Sequence, residues 1–168
     1  MVEARGNGAR ERSAQLTGGF NTAPMPDDRE TVRFVVTTCQ AVRSIDSGAA
    51  GHMAYEQMLG FHPHFFVHTG DIVYYDKAPL AQNVAEARAK WDLMFSYGHN
   101  RNFHRWVSSY FMKDDHDTLK NDCWPGQTYG ELTFAQGLDL FRGQVPMGEK
   151  SYRTIRWGKD VQVWMTEN

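Results

Sequence analysis

Three short apolar runs, each cut off by polar residues able to hold a metal, constrain this chain more than any other feature. Thr31–Thr38 is β-branched and aromatic and stops at Cys39-Gln40. His64–Thr69 is the second run and stops at Gly70-Asp71. Trp106–Met112 is the third and stops at Lys113-Asp114-Asp115-His116-Asp117. Runs of this length and composition read as buried strands. The intervals read as helices. Gly51–Gly60 has Met53, Tyr55, Met58 and Leu59 as its apolar positions, with Pro63 breaking the chain after it. Pro79–Ser96 is rich in good helix formers. Strand alternating with helix predicts an α/β core with parallel strands. In such sheets, function gathers where strands end and loops begin.

Beyond the third run, Thr133–Phe141 predicts a short helix. Ser151–Arg156 and Val161–Met165 predict two strands about a Gly158-Lys159 turn. Residues 1–30 hold glycines, prolines and charges with one aromatic, Phe20, and read as a linker; the globular pattern starts at Thr31. No internal repeat is present.

The composition excludes several classes. With 41% hydrophobic and 13% aromatic residues in 168, the chain has material for one domain core rather than disorder throughout. Eighteen basic against 20 acidic residues leave a net charge of −2, which argues against a general nucleic-acid binder. No apolar run approaches the roughly 20 residues of a membrane span. Two cysteines, Cys39 and Cys123, are too few for a disulfide framework. Residues 1–20 carry basic residues without the apolar stretch of a secretory signal.

If the three strands are parallel neighbours, their C-terminal ends meet at one edge. Cys39, Asp71, Tyr74, Asp115 and His116 then converge. Thiolate, phenolate and carboxylates are anionic ligands suited to a highly charged metal ion. Gly70 lets the chain turn tightly before Asp71. Each segment alone reads as a turn with solvated acids; three in this order favour a site. Among the other histidines, His64 and His68 are spaced to share one strand face, where packing or hydrogen bonding is favoured over zinc. His52, His99 and His104 are expected to face solvent.

Cys39-Gln40, Gly70-Asp71-x-Val73-Tyr74 and Asp114-Asp115-His116-Asp117 together resemble the signature set of the PhoD-like alkaline phosphatases and phosphodiesterases. These belong to the calcineurin-like metallophosphoesterase superfamily. Phe20-Asn21-Thr22-Ala23-Pro24 resembles the family's link between a small N-terminal β domain and its catalytic domain. Lys120-Asn121-Asp122-Cys123-Trp124 and Tyr152-Arg153-x-x-Arg156-Trp157-Gly158 fit as well. The resemblance runs from about Phe20 to the last residue.

That resemblance implies a partial metallophosphoesterase α/β sandwich, a truncated form of a four-layer core. Residues 1–30 would be linker or the end of the N-terminal β domain, and residues 31–168 the N-terminal half of the catalytic domain. Cys39 would stand at the superfamily's first ligand position, and Asp71 would bridge two metals. Tyr74 would be a phenolate ligand to iron, and Asp115 a ligand to the second metal. His116 would be catalytic, assisting at phosphate or leaving group. Asp114, Asn121 and Asp122 would lie around the metals or the substrate. The implied cofactors are ferric iron and calcium, whose preferences match these oxygen donors. The implied reaction is hydrolysis of a small-molecule phosphomonoester or phosphodiester, and the implied location is exported or periplasmic. The family's later histidine-bearing loops have no counterpart after His116. A fragment of a longer protein is therefore expected, with a non-catalytic metal-binding α/β fragment or a degenerate paralogue as the alternative.

Overall fold

The computed structural model describes residues 2–5, 13–145, 147–148 and 150–166. Its centre is a three-stranded parallel sheet in the order β3-β4-β5: Phe34–Thr37, Phe65–His68 and Ser108–Phe111. The register places Thr37 beside His68 and His68 beside Phe111. All four residues of β4 are buried because both faces of a central strand are covered. The expected α/β class with parallel strands is what forms.

One face of the sheet carries Phe66 and Phe111 and packs against helices α1 (Met53–Gly60), α2 (Val84–Ser96) and α3 (Gly98–Trp106). Tyr55, Trp91, Met94 and Phe103 fill that interface. Each such side chain contributes about 1.5–3 kcal/mol of burial. The other face carries Phe65 and Val67. It packs against Trp157 and Met165 of an antiparallel hairpin, β8 (Arg153–Trp157) and β9 (Val161–Met165). Toward the β3 edge that face stays open, with Phe34 and Val36 exposed.

Local chemistry sets the helix starts. Asn83 Oδ1 accepts from Glu86 N at 3.0 Å, while Glu86 Oε2 accepts from Gln82 N at 2.7 Å, so α2 starts at Val84. The expected start at Pro79 was too early, because a cap needs a side-chain acceptor that Pro79 lacks. Helix α5 (Phe134–Gln144) opens on a reciprocal Thr133–Gln136 capping box. Between β5 and α5 lie a single turn of helix, α4 (Asp115–Thr118), and a small antiparallel pair, β6 (Thr128–Tyr129) and β7 (Leu132–Thr133).

Three readings of the sequence need correction. Trp106 closes helix α3 rather than opening the third strand, and α3 itself was not foreseen. Gly98–Trp106 is amphipathic but polar overall, and a reading that looks for apolar runs passes over it, since Asn100 and Phe103 are its buried residues. His104 does not face solvent: its ring sits among Tyr55, Phe66, Phe95, Phe103 and Phe111. His64 and His68 do not share a face. His64 precedes β4, stacks on Trp157 and accepts from Arg33 N, whereas His68 lies on the helical side against Phe66 and Phe111.

The lead-in also contains more order than a linker reading supplies. Val2–Arg5 (β1) and Ser13–Leu16 (β2) pair as antiparallel strands, and Gly19 N donates to Arg105 O at 2.9 Å. Residues 1 and 6–12 lie outside the described part of this segment.

Candidate metal centre

The β3–β4 ladder continues past its strands. Cys39 N donates to Gly70 O at 3.1 Å, and Gln40 N to Asp71 O at 2.9 Å. This lock-step brings Cys39 and Asp71, 32 positions apart, side by side. Both carry positive φ, 55° and 58°, although neither is glycine. Such backbone costs about 1–3 kcal/mol per residue and persists where surrounding structure over-determines it. Gly70, at φ 113°, has a second reason to lack a side chain: a Cβ there would lie 2.6 Å from Asp114 Cβ. The loops after β4 and β5 thereby pack backbone against backbone.

Three side chains meet at one carboxylate oxygen. Tyr74 donates its phenolic hydrogen to Asp71 Oδ2 at 2.9 Å, and Cys39 Sγ donates to the same oxygen at 3.3 Å. Asp71 Oδ1 is buried and has no hydrogen-bond partner. Burial holds the Asp71 carboxyl above its ordinary range, opposed by the bonds from Tyr74 and Cys39. Burial and the adjacent Asp71 hold the Tyr74 phenol far above its ordinary value.

The third strand end completes the cluster. Ligand atoms of Asp71, Asp115 and His116 lie within 4.8 Å of one another. Asp115 accepts from His116 N at 2.8 Å and from Asp122 N, which fixes its carboxylate. His116 Nδ1 is 2.6 Å from Asp76 Oδ1. A carboxylate only accepts, so Nδ1 carries the hydrogen and Nε2 is left as the acceptor face. The donors are of mixed character: carboxylates and a phenol, with a softer thiol and an imidazole beside them, and one buried oxygen of Asp71 without a partner.

The outlying candidates differ. Asp114 caps α4, its Oδ1 accepting from Asp115 N at 2.8 Å. Asn121 Nδ2 bonds the Asp122 carboxylate at 2.6 Å, so these two side chains engage each other, with Asp122 at positive φ. Cys39 and Cys123 are free thiols, and Cys123 Sγ donates to Asp115 O at 3.3 Å.

Two residues escaped the sequence reading. Asp117 is fully buried and accepts four backbone N–H groups: Asp71 at 2.8 Å, Ile72 at 2.7 Å, Val73 at 2.8 Å and Asp114 at 3.0 Å. It stitches the loop after β4 to the loop after β5. Burial pushes its carboxyl up to about 8, against the pull of those donors. Asp76 orients His116 and also accepts from Asn121 N at 3.2 Å. Both stand inside the motif-bearing segments, but nothing local distinguishes an acid that braces loops from one that faces solvent.

The chain is thus an α/β protein with a parallel sheet, bearing at its strand ends a carboxylate and histidine cluster that could hold a metal ion. A solved structure described as that of PhoD superposes with a TM-score of 0.64 at 16% sequence identity. The match covers 81% of this chain and 31% of that one, and at this identity it is a likeness of fold. No protein-family model and no curated protein matches the sequence.

Proposed function

We propose that this chain carries part of the active site of a metal-dependent phosphoester hydrolase acting on small-molecule phosphomonoesters or phosphodiesters. The observation that carries the reading is the meeting of Cys39, Tyr74 and the half-orphaned Asp71 beside Asp115 and His116. The likeness of fold to PhoD supports it. Cys39, Asp71 and Tyr74 would hold ferric iron, and Asp115 would serve a second ion, calcium. Bound there, the pair supplies Lewis acidity at phosphorus and a water acidic enough to serve as nucleophile. The chain's own residues do the rest. Asp117 holds the Asp71 loop in place, and Asp76 keeps the hydrogen of His116 on Nδ1. As the imidazolium, His116 would donate its Nε2 hydrogen to a phosphate oxygen or to the departing alkoxide, leaving the neutral ring with its hydrogen on Nδ1 against Asp76.

The test is optical. Iron-loaded protein is expected to show the visible charge-transfer band of ferric phenolate. Tyr74→Phe should bleach it without altering the far-ultraviolet circular dichroism, and Asp71→Ala should abolish metal uptake. An iron-loaded Tyr74→Phe protein with the parent's visible spectrum would remove Tyr74 from the ligand set. Hydrolysis of bis-p-nitrophenyl phosphate that survives Asp71→Asn would overturn the assignment of the site.

A further inference from the structure

A pocket of about 190 Å³ opens beside the metal cluster, with Tyr74, which bonds Asp71, in its wall. Its depth is apolar, with Met94 at one wall, but its charged lining is all of one sign: Arg43, Lys77 and Lys90. No carboxylate is among the described lining residues. The nearest acid identified by contact, Asp76, is 3.8 Å from Lys77 Nζ and is already held by His116 Nδ1 and Asn121 N.

Lys90 makes the arrangement unusual. It is only 9% exposed, on α2, a helix whose other buried residues are Ala87, Trp91 and Met94. Its Nζ donates to one acceptor, Lys77 O, at 2.7 Å. An ammonium has three hydrogens to donate, so two are left for a ligand. A buried cation is costly unless an anion or a full set of acceptors completes it. Burial accordingly lowers its pKa, with only the nearby Asp76 charge opposing.

We propose that this pocket is an anion subsite, taking a second negatively charged group of the substrate next to the reacting phosphoryl. The substrate class is then a phosphoester with a further phosphate or carboxylate, an identification that rests on the hydrolase reading. The subsite itself does not: a pocket built this way binds a small anion without any metal. Its volume is about six times the ~30 Å³ share of a water molecule, enough for one compact anion.

The experiment uses chelator-treated, metal-free protein at low salt, titrated with inorganic phosphate and followed by calorimetry and by amide chemical shifts. Saturable binding is expected, with the largest shifts at residues 40–43, 74–78 and 90. Lys90→Met should weaken it at least tenfold. Arg43→Gln, at an exposed position that does not threaten folding, should weaken it several-fold, and Lys159→Gln on the distant hairpin should leave it unchanged. Absence of saturable binding, or binding indifferent to both Arg43→Gln and Lys90→Met, overturns the subsite. The two readings separate cleanly. Phosphate binding together with bis-p-nitrophenyl phosphate hydrolysis that survives Asp71→Asn, or with no hydrolysis under any metal, keeps the subsite and fails the hydrolase. Hydrolysis that Asp71→Asn abolishes, without phosphate binding, does the reverse.

Discussion

Above about pH 8, where the Asp117 carboxyl is ionised, replacing it by asparagine removes the anion on which four backbone N–H groups converge. Oδ1 accepts from Ile72 and Val73, and Oδ2 from Asp71 and Asp114. An amide keeps one oxygen and turns an NH₂ toward the other pair, so two charge-assisted bonds are lost. At about 1.5–3 kcal/mol each, the gross loss is roughly 3–6 kcal/mol. Relief from burying a charge offsets part of this, because burial already disfavours ionisation here. A net cost of about 3 kcal/mol is expected, a large share of the 5–15 kcal/mol that holds a typical domain together. Urea unfolding at about pH 9, followed by tryptophan fluorescence, should show it as a midpoint lowered by about 1–2 M. Asp114→Ala is the internal comparison. It removes the cap of a one-turn helix and should cost only about 1 kcal/mol. The reasoning is refuted if Asp117→Asn unfolds within about 0.5 kcal/mol of the parent, or if Asp114→Ala proves the more damaging of the two.

Acid should destabilise the protein through two histidines, the buried His68 and the partly buried His104. Burial holds His68 and His104 down to about 3, against about 6.5 in an unfolded chain. The unfolded state therefore takes up protons that the folded state refuses. Stability is full above pH 6.5 and falls as pH drops toward 3, by about 2 kcal/mol per histidine at pH 5. His104→Phe, in a ring of aromatic neighbours, should remove about half of that loss between pH 7.5 and 5; an unchanged pH slope in the variant would exclude His104 as a source. Gly137→Ala separates propensity from packing. Within helix α5 the substitution should stabilise by up to about 1 kcal/mol, yet a Cβ there would lie 1.6 Å from Thr118 O. A lowered melting temperature is expected, and a raised one would mean that α4 and α5 do not meet as closely as this.

The chain's local chemistry declares the frame. β-branched and aromatic runs with polar stops announce the strands, and helix formers between them announce parallel pairing. The hairpin about Gly158-Lys159 is legible for the same reason, since turn residues and flanking alternation are both local. Cys39, Asp71 and Asp115 could be expected at one edge because parallel strands end together. The lengths of elements were less legible. α2 begins where Asn83 finds Glu86, and α3 forms from a polar segment whose one buried face has value only against Tyr55 and Phe66.

Tertiary structure alone decided what the acids and histidines do. Asp117 and Asp115 differ by two positions and share a side chain, yet one is enclosed by backbone donors from residues 71–73 and the other belongs to the metal-competent cluster. His104 is a core residue because five aromatic rings from three helices and two strands reach it. His116 has its hydrogen placed by Asp76, 40 positions away. Sequence periodicity reports which side chains a segment will bury. It carries no record of partners brought in from distant segments, and for a titratable group those partners set its charge, its orientation and its chemistry.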